Sequence, residues 1–136
     1  MKTAALIVAG GRGSRFGGDL PKQYADLCGI PVIRHTIEVF LRHPAVDDIL
    51  VVIHPDDPEL YRSAVAGLDL RPPVLGGAER QDSVRNGLEA LVEVAPEAVL
   101  IHDAARPAVA PATIDGVLAA LADAAGVIPV LPIVDT

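Results

Sequence analysis

Cysteine is nearly missing from this chain. Cys28 stands alone in 136 residues, so neither an internal disulfide nor a cysteine-based zinc site can be built. That usage matches a reducing cytosol. Tryptophan is absent and aromatic residues make up 3%, so the core has to come from Ala, Val, Leu and Ile. The two tyrosines, Tyr24 and Tyr61, form no stacking platform of the kind that single-stranded nucleic acids use. Basic residues are scarce: 11 Lys and Arg stand against 18 Asp and Glu, a net charge of −7. Nucleic acid is thereby excluded as a general partner, because duplex affinity comes mostly from neutralised phosphates. A local anion site remains open wherever the few cations converge. Long apolar runs are also lacking. Residues 4–9 end at Gly10-Gly11-Arg12, too short for a signal-peptide core, and residues 126–134 are interrupted by Pro129 and Pro132. Neither approaches the roughly 20 residues of a membrane span. The expectation is a cytoplasmic protein with no membrane partner.

What the chain does have is apolar material: 51% of residues are hydrophobic. That excludes intrinsic disorder and suits one domain over residues 1–136. Short unbroken apolar runs at 4–8, 49–53, 74–75, 98–101 and 126–130 predict strands covered on both faces, the last an edge or bulge because of Pro129. Between them lie helical spacings. Ile33, Ile37, Phe40 and Leu41 follow Pro31, and residues 58–66 follow Asp56 and Asp57 as candidate caps. Val84, Leu88, Leu91 and Val92 follow Asp82 or Ser83, and Ile114, Val117, Leu118 and Leu121 follow Pro111 and Thr113. Strand–helix alternation of this kind predicts an α/β fold with a mostly parallel twisted sheet and right-handed crossovers. Ligands then gather beyond the carboxyl ends of the strands.

The segments at those ends carry the chemistry. After the first strand, residues 9–18 hold five glycines, with Arg12 and Arg15 among them and Lys22 following in Pro21-Lys22-Gln23-Tyr24. Three of the 11 cations within 11 residues of an acidic chain suit a polyphosphate. A flexible connection with solvated arginines remains the alternative. The segment matches neither the P-loop nor the dinucleotide fingerprint. After the fourth strand comes His102-Asp103-Ala104-Ala105-Arg106-Pro107. Asp103 suits Mg²⁺ bound to a nucleotide phosphate, or else a helix cap or loop salt bridge, and His102 reads as structural. After the third strand comes Gly76-Gly77-Ala78-Glu79-Arg80-Gln81-Asp82-Ser83, where Ser83 offers a hydroxyl as well as a cap. His35, His43 and His54 have no metal-ligand spacing and read as surface or helix residues.

Taken in order, the glycine turn ending in Arg15, Pro-Lys-Gln-Tyr, Gly-Gly-x-x-Arg-x-x-Ser-Val and His-Asp-Ala-Ala-Arg-Pro resemble the 2-C-methyl-D-erythritol 4-phosphate cytidylyltransferases along the whole chain. The resemblance implies a Rossmann-like three-layer α/β/α fold of nucleotidyltransferase type, and an enzyme transferring CMP from CTP to that polyol phosphate with release of pyrophosphate. It further implies that Ala9, Gly10, Gly11, Gly13 and Ser14 wrap the triphosphate, and that Arg15 and Lys22 are the catalytic cations. Asp103 would associate with Mg²⁺, Gly77 and Ser83 would read the cytosine edge, and Ala104 and Arg106 would hold ribose and phosphate. Thr136 would lie near the acceptor phosphate. Ribitol 5-phosphate cytidylyltransferase shares much of the pattern, so the acceptor is less fixed than the transfer.

Two positions depart from the family pattern. Ala78 replaces a short acidic residue, and Ser14 stands where some members have a second arginine, for which Arg12 compensates. Family members continue into a dimerising β-arm and further basic acceptor-binding residues. The expectation is therefore a chain truncated before that arm, from a protein that is a homodimer at full length. Two rival readings stand beside it: another sugar-phosphate nucleotidyltransferase, and an inactive nucleotide-binding fragment.

Overall fold

The computed structural model describes residues 1–11 and 20–133. Four strands form one sheet: β1 (Thr3–Ala9), β4 (Asp48–Ile53), β5 (Val74–Leu75) and β6 (Ala98–Asp103). Their order is β5-β4-β1-β6, and every pairing is parallel. A small antiparallel hairpin, β2 (Asp26–Leu27) with β3 (Ile30–Pro31), stands apart from it. Its turn residues Cys28 and Gly29 have φ of 56° and 79°, as a two-residue hairpin turn with the right twist requires. Among the described residues four α-helices cover the sheet: α1 (Val32–Arg42), α2 (Pro58–Ala64), α3 (Arg80–Ala90) and α4 (Pro111–Ala120).

β1 is buried over its full length, and its side chains alternate between two cores. Ala5, Ile7 and Ala9 join Ile33, Ile37 and Phe40 of α1, Tyr61 and Ala64 of α2 and Ile114 of α4. Ala4 and Leu6 join Leu50, Val52 and Leu91 on the opposite face, under α3. The three-layer α/β/α arrangement expected from the sequence is the one observed.

Several details differ from expectation. Residues 126–130 form no strand. A strand exists only as one side of a ladder, and Pro129 and Pro132 each remove a donor. In α3 the buried face is Ser83 and Gly87, leading to Leu91, while Leu88 is 39% and Val92 72% exposed. The apolar spacing misreads the face by about one position, because small residues let the helix sit close to the sheet. Neither Asp82 nor Ser83 is the N-cap of α3. Glu79 is, in a capping box with Asp82. His43 is neither exposed nor helical. It follows α1, buried, with Nε2 2.9 Å from Asp115 Oδ1 and Nδ1 accepting from the Ala45 N–H. No described helix is long and apolar enough to cross a membrane.

A methyl group at Gly87 would overlap the Leu6 side chain and come within 2.9 Å of Val52 Cγ2. Gly87→Ala should therefore destabilise the fold by about 1–2 kcal/mol in urea titration, overpacking outweighing the roughly 1 kcal/mol gain in helix propensity. A stabilised variant would show that the helix can lift off the sheet freely. Tyr61 is buried with its hydroxyl unpartnered among the described residues, and desolvation pushes its pKa from 10.0 up to about 12. The unfolded chain thus releases this proton near pH 10 and the folded chain near pH 12. Stability is intact below pH 10 and falls as pH rises through that window. Tyr61→Phe should flatten that fall in melting curves taken between pH 9 and 12, and an unchanged slope would refute the assignment.

Candidate functional site

The chain leaves β1 for β4 and β5 on one side of the sheet and reaches β6 on the other. The switch point therefore lies between the carboxyl ends of β1 and β6, where the crossovers diverge and leave a crevice. A cleft of about 520 Å³ opens there. It has three walls, built from four parts of the chain.

The first wall is the turn after β1, with Ala9, Gly10 and Gly11, and beside it Lys22 and Gln23. Lys22 opens a 3-10 turn, Lys22–Tyr24, closed by the Tyr24 N–H on Pro21 O at 2.9 Å. Gln23 is buried, and its Nε2 donates to Ala9 O at 3.2 Å and Gly11 O at 2.8 Å.

The second wall is the segment from β5 into α3. The Gly76 N–H donates to Ile53 O at 2.7 Å, holding the turn against the end of β4. Ser83 is buried, and its Oγ accepts from the Gly77 N–H at 3.2 Å. That hydroxyl lies where a Cβ on Gly10 or Gly76 would go: 2.8 Å from the first and 2.5 Å from the second. Glycine at these positions is a requirement of close approach, and Ser83 is the shared neighbour of two turns. A second cleft of about 530 Å³, lined by Gly10, Gly11, His54, Gly76, Gly77 and others, adjoins the first across these glycines.

The third wall is the end of β6. The strand runs two residues further than the apolar run, so Asp103 is its last residue. Its carboxylate is held from both sides: Arg80 Nη1 lies 2.7 Å from Oδ1, and Arg106 Nε donates to Oδ2 at 3.1 Å. The loop salt bridge left open by the sequence is thus present, with Arg80 as an additional partner reaching across the cleft from α3. His102 Nε2 lies 2.8 Å from Arg106 O, and its ring packs against Phe40 at 5.1 Å between centroids. Ala104 does not line the cleft. It is fully buried, its N–H donating to Val8 O at 3.0 Å and its C=O accepting from Thr36 Oγ1 at 2.8 Å.

The cleft therefore gathers Ala9, Gly10, Gly11, Lys22, Gly77, Ser83, Asp103 and Arg106 of the expected residues. Gly13, Ser14, Arg15 and Thr136 lie outside the described residues. Sequence reasoning assigned no role to Gln23 or Arg80, although both stood inside quoted motifs. Two arginines held by a carboxylate, a lysine and glycine turns that leave the backbone uncovered by side chains suit an anion carrying several charges. Among the described residues no three His, Cys, Asp or Glu converge as a metal cage. The Asp103 carboxylate alone fits Mg²⁺ that brings its remaining oxygens from phosphate and water, provided that an arginine yields an Asp103 oxygen.

Comparison with known proteins agrees with this geometry. The family model for 2-C-methyl-D-erythritol 4-phosphate cytidylyltransferase matches residues 3–136. The chain is 60% identical to a "Bifunctional enzyme IspD/IspF" of Rhodospirillum rubrum over 136 residues, covering 99% of this chain and 35% of the relative. A protein of the same name from Paramagnetospirillum magneticum is 55% identical over 135 residues, with 99% and 35% covered. The chain thus spans about a third of the length of the curated relatives it matches. Among solved structures, a 4-diphosphocytidyl-2C-methyl-D-erythritol synthase superposes with a TM-score of 0.72 at 32% identity, over 91% of this chain and 56% of that one. The 2-C-methyl-D-erythritol 4-phosphate cytidylyltransferase of Francisella tularensis gives 0.73 at 29%, over 91% and 54%. With nearly the whole chain matched by the family model and the glycine turns and Asp103 meeting in one crevice, the chain belongs to the 2-C-methyl-D-erythritol 4-phosphate cytidylyltransferase family.

Proposed function

We propose that residues 1–136 are the CTP-binding nucleotidyltransferase domain of an enzyme that transfers CMP from CTP to 2-C-methyl-D-erythritol 4-phosphate. The observation that carries this reading is the single cleft at the switch point, where Gly10, Lys22, Ser83 and Asp103 arrive from four separate parts of the chain. In this reading the triphosphate lies along the turn after β1 and the cytosine enters the adjoining compartment beside Gly77 and Ser83.

An acceptor phosphate oxygen attacks the α-phosphorus of CTP in line. One P–O bond forms, the bond from the α-phosphorus to the bridging oxygen breaks, and pyrophosphate leaves with that electron pair. The attacking oxygen is already anionic, so no general base is needed. What the reaction requires is alignment and compensation of charge on the phosphoryl oxygens. Lys22 supplies a point charge beside the turn amides, and Arg15, by its match to the family motif, supplies a second. Arg106 and Arg80 hold the rim of the cleft, Arg106 being placed to contact a phosphate oxygen or the ribose. Mg²⁺ bound with the nucleotide near Asp103 would neutralise phosphate charge. The same reading includes a homodimer in the intact protein, an acceptor site completed near Thr136, and a cytoplasmic location.

The intact protein, given CTP, Mg²⁺ and 2-C-methyl-D-erythritol 4-phosphate, should release pyrophosphate, and UTP, GTP and ATP should serve poorly. Lys22→Ala should lower kcat on the order of 10²–10³-fold, the scale of losing one charge-stabilising donor, with an unchanged thermal melt. Asp103→Asn should raise the Mg²⁺ concentration needed for half-maximal rate. Undiminished turnover by Lys22→Ala, or a preference for ribitol 5-phosphate as acceptor, would overturn the reading.

A further inference from the structure

We propose that Gln23 is a positioning residue that orients the anion-binding turn after β1 and couples it to Lys22, an inference that rests on the nucleotide-binding reading above. Gln23 is 4% exposed, and burying a primary amide is costly unless its N–H groups find acceptors. Its Nε2 meets two: Ala9 O at 3.2 Å and Gly11 O at 2.8 Å. Ala9 is the last residue of β1, and Gly10 and Gly11 form the start of the cleft wall.

A peptide unit turns this contact into a statement about the ligand side. No cis peptide occurs among the described residues, and in a trans peptide the N–H points opposite to the C=O of the same unit. Drawing Ala9 O toward Gln23 therefore turns the Gly10 N–H away from Gln23. One side chain so fixes the sense of the peptide at the point where the chain leaves the sheet. Without it, a glycine pair with no Cβ to restrict it has many orientations, and only some present a donor to an anion.

The same residue lies between Lys22 and Tyr24 in the 3-10 turn. That turn is closed by two backbone bonds, Tyr24 N–H to Pro21 O and Ala25 N–H to Lys22 O at 3.2 Å. A shift of the turn after β1 is thus transmitted to the backbone that carries the Lys22 ammonium. The uncharged turn at residues 9–11 and the Lys22 turn, which stand on either side of residues 12–19 in the sequence, are tied together by one amide. Its role is carried by donation alone, so a side chain of the same shape without N–H groups fills the space and loses the function.

Two variants test this in the intact protein. Gln23→Glu keeps the shape and removes both donors, and Gln23→Met removes them without adding charge. Both should raise KM for CTP about tenfold, leave KM for the polyol phosphate within about twofold, and weaken binding of inorganic triphosphate in calorimetry to a similar degree as CTP. If Gln23→Glu fails to fold, Gln23→Met alone decides. Wild-type triphosphate affinity in either folded variant overturns the inference, as does an equal loss for CTP and acceptor, or a lowered melting temperature with unchanged KM. The reading of function fails separately: a wild-type protein that binds triphosphate in a Gln23-dependent way yet transfers no CMP would leave this inference standing and remove the other.

Discussion

The fold depends on one strand being covered from both sides. β1 is buried at all seven positions and pairs on both edges, with β4 and with β6. No charged side chain can be accommodated along such a strand without a large desolvation cost. Its chemistry is therefore displaced to the carboxyl end, where the chain emerges as Gly10-Gly11. Helices cover both faces, so the crossovers to β4 and to β6 separate at β1. The crevice left between them is a consequence of burying the central strand, and its lining comes from the ends of β1 and β6, the segment from β5 into α3 and the Lys22 turn.

Close approach is the second consequence. The turn after β1 and the turn after β5 both press on Ser83, whose hydroxyl occupies the space a side chain would take at Gly10 or Gly76. Under α3 the same device recurs at Gly87, which brings the helix down on Leu6 and Val52. The start of that helix is fixed by the Glu79–Asp82 capping box. Helix depth, set by Gly87, and helix start, set by Glu79, together decide where Ser83 and Arg80 stand relative to Asp103. The apolar packing beneath α3 and the polar geometry above it are one problem of spacing.

Much of this was legible in the sequence, for reasons that also explain what was not. The runs at 4–8 and 49–53 are doubly covered strands and show themselves as unbroken apolar stretches, while the strand at 98–101 is covered on one face only, with Ile101 46% exposed on the other. The run at 126–130 has the same composition but no ladder, because composition reports the wish to be buried and not the presence of an edge to pair with. The end of β6 was missed by two residues, since His102 and Asp103 are polar where the strand reaches the cleft. The face of α3 was misread because Ser83 and Gly87, both small, occupy the positions nearest the sheet. Glycine and charge at strand ends have a local physical meaning, and Gly10, Gly11, Gly77, Lys22, Asp103 and Arg106 do line the cleft, whereas Ala104, expected beside them, is buried away from it. Gln23 and Arg80 were not assigned, because what each does is defined by a partner: two carbonyls before the glycine loop, and a carboxylate at the end of another strand. Nothing local in a sequence announces a long-range acceptor.

The charge of the chain makes that wiring necessary. A protein with a net charge of −7 repels a polyanion at long range, so its overall field cannot collect the ligand. Attraction has to be supplied within a few ångströms, where salt screens least and geometry decides most. Among the described residues that line the cleft, Lys22, Arg80 and Arg106 stand against Asp103 and Glu79, an excess of one positive charge in an acidic molecule. That excess is small, and two of the cations are already engaged with Asp103. Fixed backbone donors must therefore carry a large share of the recognition, and donors are useful only if they point one way. A buried amide that sets the direction of the peptide after β1 therefore matters more here than it would in a basic protein, where loosely held cations could do the same work.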